Sequence, residues 1–380
     1  MSKLTLGSAT ALSLFLTACP ALAEAPLASS SEDDIVAQGF RPDAHGPAGT
    51  MSDHVHKGGD LMIGMMWMHE DYGGVNVRGT SPGDDQTVAN AGYATKADAM
   101  TMDMAMLHIM YAPSDRVTLM LVPSWMKMGM VMKGLPASTT GGMSGMNGHM
   151  LMPGQTMSHS AEGIGDTQFG ALISLSRRPK LSAHLGLMAS APTGSDTRKS
   201  ASGSYVHYMM QGGSGTWDLN PSLTVHGAEH GFGWGAQVSY LWRTEDSNDA
   251  GFRFGDRFGA TAWLSKPLSR RVSLSTRLAW SDEAAIAGHY NGPHSHASPA
   301  DMQANYGGQK LEVSLGLNTV IVRGNLSEAD VPDRLIAEAS AALGGLTCLV
   351  NNASLFEPDE VGTITRASWA DHLDTNLRAP

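Results

Sequence analysis

From residue 60 onward the chain breaks into short segments in which apolar and polar residues alternate. A period of two is the mark of strands with one apolar face. Leu61, Ile63, Met65 and Trp67 share a face, as do Leu107, Ile109 and Tyr111, and then Val117, Leu119, Leu121 and Trp125. Phe169, Ala171, Ile173 and Leu175 follow, then Leu181, Ala183, Leu185 and Leu187, then Trp217, Leu219, Leu223 and Val225. The series continues through Phe232, Trp234, Ala236, Val238, Tyr240 and Trp242, and through Phe258, Ala260, Ala262 and Leu264. It closes with Val272, Leu274, Leu278 and Trp280, and with Leu311, Val313, Leu315 and Leu317. About ten strands are expected from these repeats, and their opposite faces carry Ser, Thr, Gly, Gln, Asn, His and Arg.

The connections alternate in length. Short turns are expected at 112–115, 176–179, 227–230 and 266–270, and mostly long connections at 70–99, 132–164, 191–216 and 282–308, with a shorter one at 244–252. Short turns on one rim and long loops on the other are the habit of outer-membrane barrels. Lipid offers no partner to backbone groups, so a spanning sheet must close on itself. Trp67, Tyr111, Trp125, Trp217, Tyr240, Trp242 and Trp280 lie at strand ends, where interfacial aromatic girdles form. The fold class expected is therefore all-β, an antiparallel transmembrane β-barrel over residues 60–320. The rival is a soluble β-sandwich or barrel whose apolar faces point inward.

Composition sharpens this picture. Charged residues make up 16% of the 380, below the roughly 25% of soluble domains. After the N-terminus no run of eighteen apolar residues exists, which excludes a spanning helix there. The net charge of -11 argues against a nucleic-acid partner. Lys3, the apolar stretch from Leu4 to Ala18 and the small residues Ala21 and Ala23 before Glu24 read as an export signal over 1–23. A second reading takes Leu16 to Cys19 as a lipobox, with Cys19 lipid-modified. Either way the chain crosses the inner membrane. Residues 24–59 then form a His-containing periplasmic segment. Cys19 and Cys348 have no metal-binding spacing.

The chain has 25 methionines. Met100, Met102, Met104 and Met106 lead into His108 and Met110, and Met126, Met128, Met130 and Met132 form a second run. In a strand each run lies on one face, opposite the lipid-facing rows, so the interior is expected to carry a thioether-rich stripe. Met62, Met66, Met68, His184 and Met188 fall on the same side. Thioether sulfur suits Cu(I) and Ag(I). The Gly-rich stretch at 141–159 adds Met143, Met146, His149, Met150, Met152, Met157 and His159, and His45, His54 and His56 lie near the N-terminus. Against a soft-metal role stands the reading of methionine as an adaptable apolar filler. No catalytic constellation is visible over 60–320.

Two groups of motifs resemble known families. His45-Gly46-Pro47-Ala48-Gly49, Asp53-His54-Val55-His56-Lys57, Glu162-Gly163-Ile164-Gly165-Asp166-Thr167 and Ala191-Pro192-Thr193-Gly194 resemble outer-membrane transporters related to the family named after the meta-pathway of phenol degradation. That resemblance covers about residues 40–320. It implies a barrel of twelve strands that passes small, often hydrophobic molecules. It also implies further strands and a C-terminal aromatic residue read by the barrel-assembly machinery, which this sequence does not show after Asn318.

Residues 321–380 resemble a different family. An amphipathic pattern from Leu335 to Leu343, the run Thr347-Cys348-Leu349-Val350 and the turn Asn351-Asn352-Ala353-Ser354 look like the fourth strand and turn of short-chain dehydrogenases. This would be a partial Rossmann fragment. Asn351, Asn352 and Ala353 match the family's cofactor turn, with Ser354 in place of Gly. Asn376 matches the Asn of its catalytic helix, and Asn325 stands where an Asp often contacts adenine. The Gly-rich loop and the Tyr-x-x-x-Lys pair are missing, so neither NAD(P) binding nor enzymatic activity is expected.

The leading expectation is an outer-membrane channel for small solutes, with lipid, assembly machinery and a solute or soft metal ion as partners. The alternatives are a periplasmic or surface Met/His-rich metal-binding protein, and an oxidoreductase read from the tail.

Overall fold

The computed structural model describes residues 8–14, 42–43, 45–73, 84–138, 151–178, 181–269 and 272–319. The strands, in chain order, are β1 Ser8–Leu14, β2 Leu61–Gly73, β3 Thr95–Ser114, β4 Val117–Val122, β5 Ser124–Gly134, β6 Thr156–Ile164, β7 Thr167–Arg178 and β8 Leu181–Ala191. They continue as β9 Asp218–Glu229, β10 Phe232–Arg243, β11 Phe252–Arg253, β12 Arg257–Pro267, β13 Val272–Glu283, β14 Ala287–Gly288 and β15 Gly308–Thr319. The single α-helix among the described residues is α1, Asp85–Asn90, beside three one-turn 3-10 helices, Tyr208–Met210, Pro299–Asp301 and Gln303–Asn305. No described helix is long and apolar enough to cross a membrane.

The main sheet is antiparallel and runs β1-β2-β3-β4-β7-β8-β9-β10-β12-β13-β15, with β5 bridging β3 and β6. β4 and β5 are one strand interrupted at Pro123, which has no N–H to give the ladder. Leu107 N–H still donates to the Pro123 carbonyl at 3.1 Å. β6 and β7 are likewise one strand. Ile164 faces Trp125 and Gln168 faces Val122, so one side has an extra residue. That is a bulge, seated at Gly165-Asp166. Joined this way, and setting β1 aside, the sheet has ten strands, as the alternation predicts.

The register explains the short turns. Glu229 pairs with Phe232, leaving His230-Gly231 as a two-residue loop with φ of 52° and 77°. Two positive values are the type I′ hairpin solution. The strand therefore runs on through 227–229, where a turn was expected. β6 is a larger correction, because residues 156–164 were expected to be loop.

Faces sort as the alternation requires. On β2, Met66 is 2% exposed and its neighbour Trp67 40%. Leu107, Tyr111, Leu119, Leu121, Leu187, Leu219, Leu223, Val238, Tyr240, Trp242 and Leu264 all point outward and are exposed. The buried set is methionine on β2, β3 and β5, and Thr224, Ser265 and Ser275 on β9, β12 and β13. The aliphatic rows do not meet in a dry centre, so the sandwich reading falls. The fold is an all-β antiparallel barrel.

β1 falls in the apolar stretch expected to serve as an export signal. It pairs antiparallel with β2, Ser8 opposite Asp71 and Leu14 opposite Met65. An unpaired strand edge accepts such a run readily.

By contacts the chain divides into two units. The first comprises Met1–Ala28, His45–Ser265 and Ser275–Gly316; the second comprises Ser29–Ala44, Lys266–Leu274 and Leu317–Pro380. Within the second, Ser273 Oγ donates to the Pro42 carbonyl at 2.7 Å. The dehydrogenase-like residues 321–380 lie outside the described residues.

Candidate functional site

The site is built on cross-strand methionine pairs. β3 lies between β2 and β5, and its inward residues find methionine on both sides. Met104 faces Met68 on β2 and Met126 on β5. Met106 faces Met66, Met110 faces Met62 and Met120, Met102 faces Met128, and Met100 faces Met130. Directly opposed residues hold their Cβ atoms about 4.5–5.5 Å apart, so the thioethers form a continuous ladder. Met62, Met66, Met106, Met110, Met120 and Met188 pack into one buried cluster with Val122 and Leu172. Met100, Met128, Met130, Met132 and Met210 pack into a second with Ala161. A cleft of about 290 Å³ opens beside Gly129, with Met100, Met130 and His159 among its lining residues.

The predicted residues Met100, Met102, Met104, Met106, His108, Met126, Met128 and Met130 thus come together on one wall. Met143, Met146, His149 and Met150 lie outside the described residues, as do Asn351, Asn352, Ala353 and Asn376.

His54 and His56 belong to a stretch, 45–60, that packs on the inward faces of the strands. Met51 and Val55 join the first methionine cluster. Gln237 Nε2 on β10 donates to the Met51 carbonyl at 2.9 Å, and His184 Nε2 on β8 to the Ser52 carbonyl at 2.8 Å. The His56 N–H donates to Thr118 Oγ1 on β4 at 3.0 Å, and Arg177 donates to the His56 carbonyl. Gly59 and Ala112 exchange backbone bonds through Asp60 at the start of β2. This segment has no secondary structure of its own, so the walls must supply partners for its buried peptide groups.

Its polar centre is Asp53. The carboxylate accepts the Gly46 N–H at 2.7 Å and His54 Nδ1–H at 2.7 Å. His54 Nε2 lies 3.2 Å from His56 Nε2, and His45 Nδ1 lies 3.4 Å from His54 Nδ1. Burial alone would raise Asp53, but the charge and hydrogen bond of His54 outweigh it and hold the carboxyl well below its usual range. Burial would lower His54, but Asp53 reverses this and raises it. Burial and then the charge on His54 bring His56 down to about 4. Asp53 and His54 thus stabilise each other's charged forms, while burial and the charge on His54 favour the neutral form of His56. Sequence reading singled out His54 and His56 but not Asp53, although Asp53-His54-x-His56 is legible once the segment is known to lie inside.

The opposite wall differs. Gly233, Gly235 and Gln237 face inward on β10, and Trp263 on β12 lies over Gly235, where an added Cβ would come within 2.2 Å of the indole. The loops also fold together. Tyr205, Tyr208 and Tyr290 stack at centroid spacings of 4.4 Å, with Phe252 edge-on to Tyr208. The two turn motifs meet at one point: Asp166 accepts the Gly194 N–H at 3.0 Å and the Ser214 N–H at 2.7 Å. An added Cβ on Gly194 would come within 2.4 Å of the Gly212 carbonyl, so only glycine fits there.

The family described as a putative MetA-pathway of phenol degradation matches residues 121–319. The chain belongs to this family. The outward Leu, Val and Trp rows are the kind of surface that a transmembrane barrel turns to hydrocarbon. No curated protein matches the chain. Distantly similar solved structures include an outer-membrane channel of Pseudomonas putida F1, at 13% identity, TM-score 0.39, 63% of this chain and 79% of that one. The transport unit of the Escherichia coli autotransporter AIDA-I shares 11% identity at TM-score 0.38, over 70% and 77% of the two chains. The CymD monoaromatic hydrocarbon channel shares 8% at TM-score 0.36, over 71% of each.

Proposed function

We propose that this protein is a passive outer-membrane channel for small, weakly polar aromatic molecules, which move along the methionine ladder. The observation that carries the reading is Met104, flanked in register by Met68 and Met126 on the inward face of the sheet. Thioethers are polarizable and adaptable, and sulfur meets an aromatic edge favourably by about 0.3–1.5 kcal/mol. A row of such contacts is weak enough at each step to release what it takes up. Membership of a family named for phenol degradation fits a phenolic solute. The process needs no covalent step, and the machinery that inserts barrels would be its assembly partner.

The test is uptake of radiolabelled phenol into proteoliposomes holding the full chain. We expect uptake above empty vesicles, and a several-fold loss in Met104→Glu or Met128→Glu, whose charge faces the path. Uptake equal to empty vesicles, or unchanged in both variants, overturns the reading.

A second reading is favoured by the same ladder: three adjacent thioethers offer Cu(I) or Ag(I) a soft coordination set. It predicts Ag(I) binding to the purified protein that is lost in a Met68, Met104 and Met126 triple leucine variant.

A further inference from the structure

The structure assigns to His45, Asp53 and His54 a second, chemically different site, one for a borderline divalent transition-metal ion of the zinc type. It goes beyond the channel reading, because its donors are nitrogen and oxygen rather than sulfur. The ligand atoms are His45 Nδ1, His54 Nδ1 and the Asp53 carboxylate. His45 Nδ1 stands 3.4 Å from His54 Nδ1 and 4.0 Å from Asp53 Oδ2, and His54 Nδ1 stands 2.7 Å from Asp53 Oδ1. All three donors lie within 4.8 Å of one another. Ligands about 2.0–2.2 Å from a tetrahedral ion are separated by about 3.4 Å, so small shifts centre an ion among them. Two imidazoles and a carboxylate suit Zn(II), Cu(II) or Ni(II), and leave a fourth position open.

The surroundings are those of a held ligand set. A metal-bound histidine characteristically passes its other N–H to a partner. With the ion at Nδ1, His54 Nε2–H donates to His56 Nε2, 3.2 Å away. Gly46 N–H fixes the second carboxylate oxygen at 2.7 Å. The wall adds His108, His184 and His226, each with one buried ring nitrogen that has no hydrogen-bond partner among the described residues. All three lie within electrostatic reach of Asp53 and His54. Buried polar atoms are rarely left unsatisfied, and a hydrated ion inside the barrel would answer several at once.

The experiment titrates the full chain in detergent with Zn(II) against a chromophoric competitor, and with Co(II) for its visible spectrum. We expect one ion per chain at submicromolar affinity and the intense visible bands of four-coordinate Co(II). His45→Gln and His54→Ala should each weaken binding 100-fold or more. His56→Ala, which removes only the partner of His54, should weaken it by about 10–100-fold. His230→Asn, in an exposed turn, should bind as the wild type does. Heat-modifiable migration confirms folding; should His54→Ala fail it, His45→Gln and Asp53→Asn, close in size to the residues they replace, carry the test. Wild-type binding weaker than micromolar, or undiminished binding in folded His45→Gln and Asp53→Asn, overturns the assignment. Phenol uptake measured on the same variants keeps this outcome separate from that of the channel.

Discussion

The inward faces of β2–β5 and of β9–β13 arise from the same alternation and are made of different material. The first is thioether, packed into two dry clusters. The second is hydroxyl, amide and glycine: Ser222, Thr224, Gly233, Gly235, Gln237, Ser265 and Ser275, with Arg277 paired to Glu312 at 3.3 Å. Within the apolar belt the outward faces of the two walls are alike, because one solvent, hydrocarbon, selects both. The inward faces have no common solvent. The methionine wall is satisfied by contact with itself and with Met51 and Val55, whereas the hydroxyl wall supplies hydrogen bonds. Gln237 reaches the Met51 carbonyl, while Ser265 Oγ and Ser275 Oγ have no described protein partner. A weakly polar solute moving between the two would meet soft apolar contact on one side and hydrogen-bonding groups on the other.

The largest effect expected is on the face the walls share. Leu223, mid-strand on β9 and 42% exposed, points at lipid. Leu223→Arg should cost about 2–4 kcal/mol of folding free energy in lipid vesicles, the range for a cation near the bilayer midplane. Arg at the adjacent inward Ser222 should cost clearly less. Equal costs at the two positions, read from urea unfolding of the inserted protein, would dissolve the distinction between inside and outside.

A smaller effect is expected where the second wall is tightest. Gly235 faces Trp263 directly across the β10–β12 ladder. Gly235→Val drives side-chain atoms into the indole and should cost about 1–3 kcal/mol. The double variant Gly235→Val with Trp263→Ala should recover part of that, seen as a return of the heat-modification midpoint. No recovery would mean that the glycine serves the backbone rather than the ring.

How much of this was legible in the sequence depends on the solvent each face meets. Rows that touch lipid carry a strict period of two, so the ten strands, the faces and most short turns could be read directly. β6 could not. Its inward Met157, His159 and Ala161 pair with Met132, Met130 and Met128, but its outward residues are Ser158, Ser160 and Glu162. Opposite them, β5 shows Lys127 and Gly129 outward, and β3 shows Thr101 and Asp103. Here the sheet rises past the apolar belt, water meets the outer face, and the periodic signal vanishes although the strand continues. The aromatic stack of the loops was hidden for another reason: Tyr205, Tyr208, Phe252 and Tyr290 come from three connections, and no local pattern joins them. The segment 45–60 shows no periodicity because it has neither helix nor strand. Its histidines were visible as candidates, but their shared carboxylate became meaningful only through the bonds given by Gln237 and His184 and accepted by Thr118, which hold the segment inside. The interior place of Met62, Met66, Met106, Met110 and Met120 was legible, since a face opposite a lipid row can only look inward; that of Met100, Met102, Met128 and Met130 followed only by continuing the same period of two along β3 and β5.

The smallest effect on stability separates what the methionine wall does from what it is made of. Met104→Leu keeps volume and apolarity, so it should cost under about 1.5 kcal/mol. It removes the central sulfur of the triad formed with Met68 and Met126. If the wall serves as a yielding apolar surface, phenol uptake should stay within about twofold of the wild type, because leucine offers similar area and only one weak sulfur–aromatic contact is lost. If the wall holds soft ions, Ag(I) affinity should fall at least tenfold while phenol uptake is unaltered. Measured together on one folded variant, the two assays assign the thioethers to solute, to metal or to both. A change in neither leaves the ladder as a yielding apolar surface, and a loss of phenol uptake well beyond twofold would assign the solute to the sulfur itself.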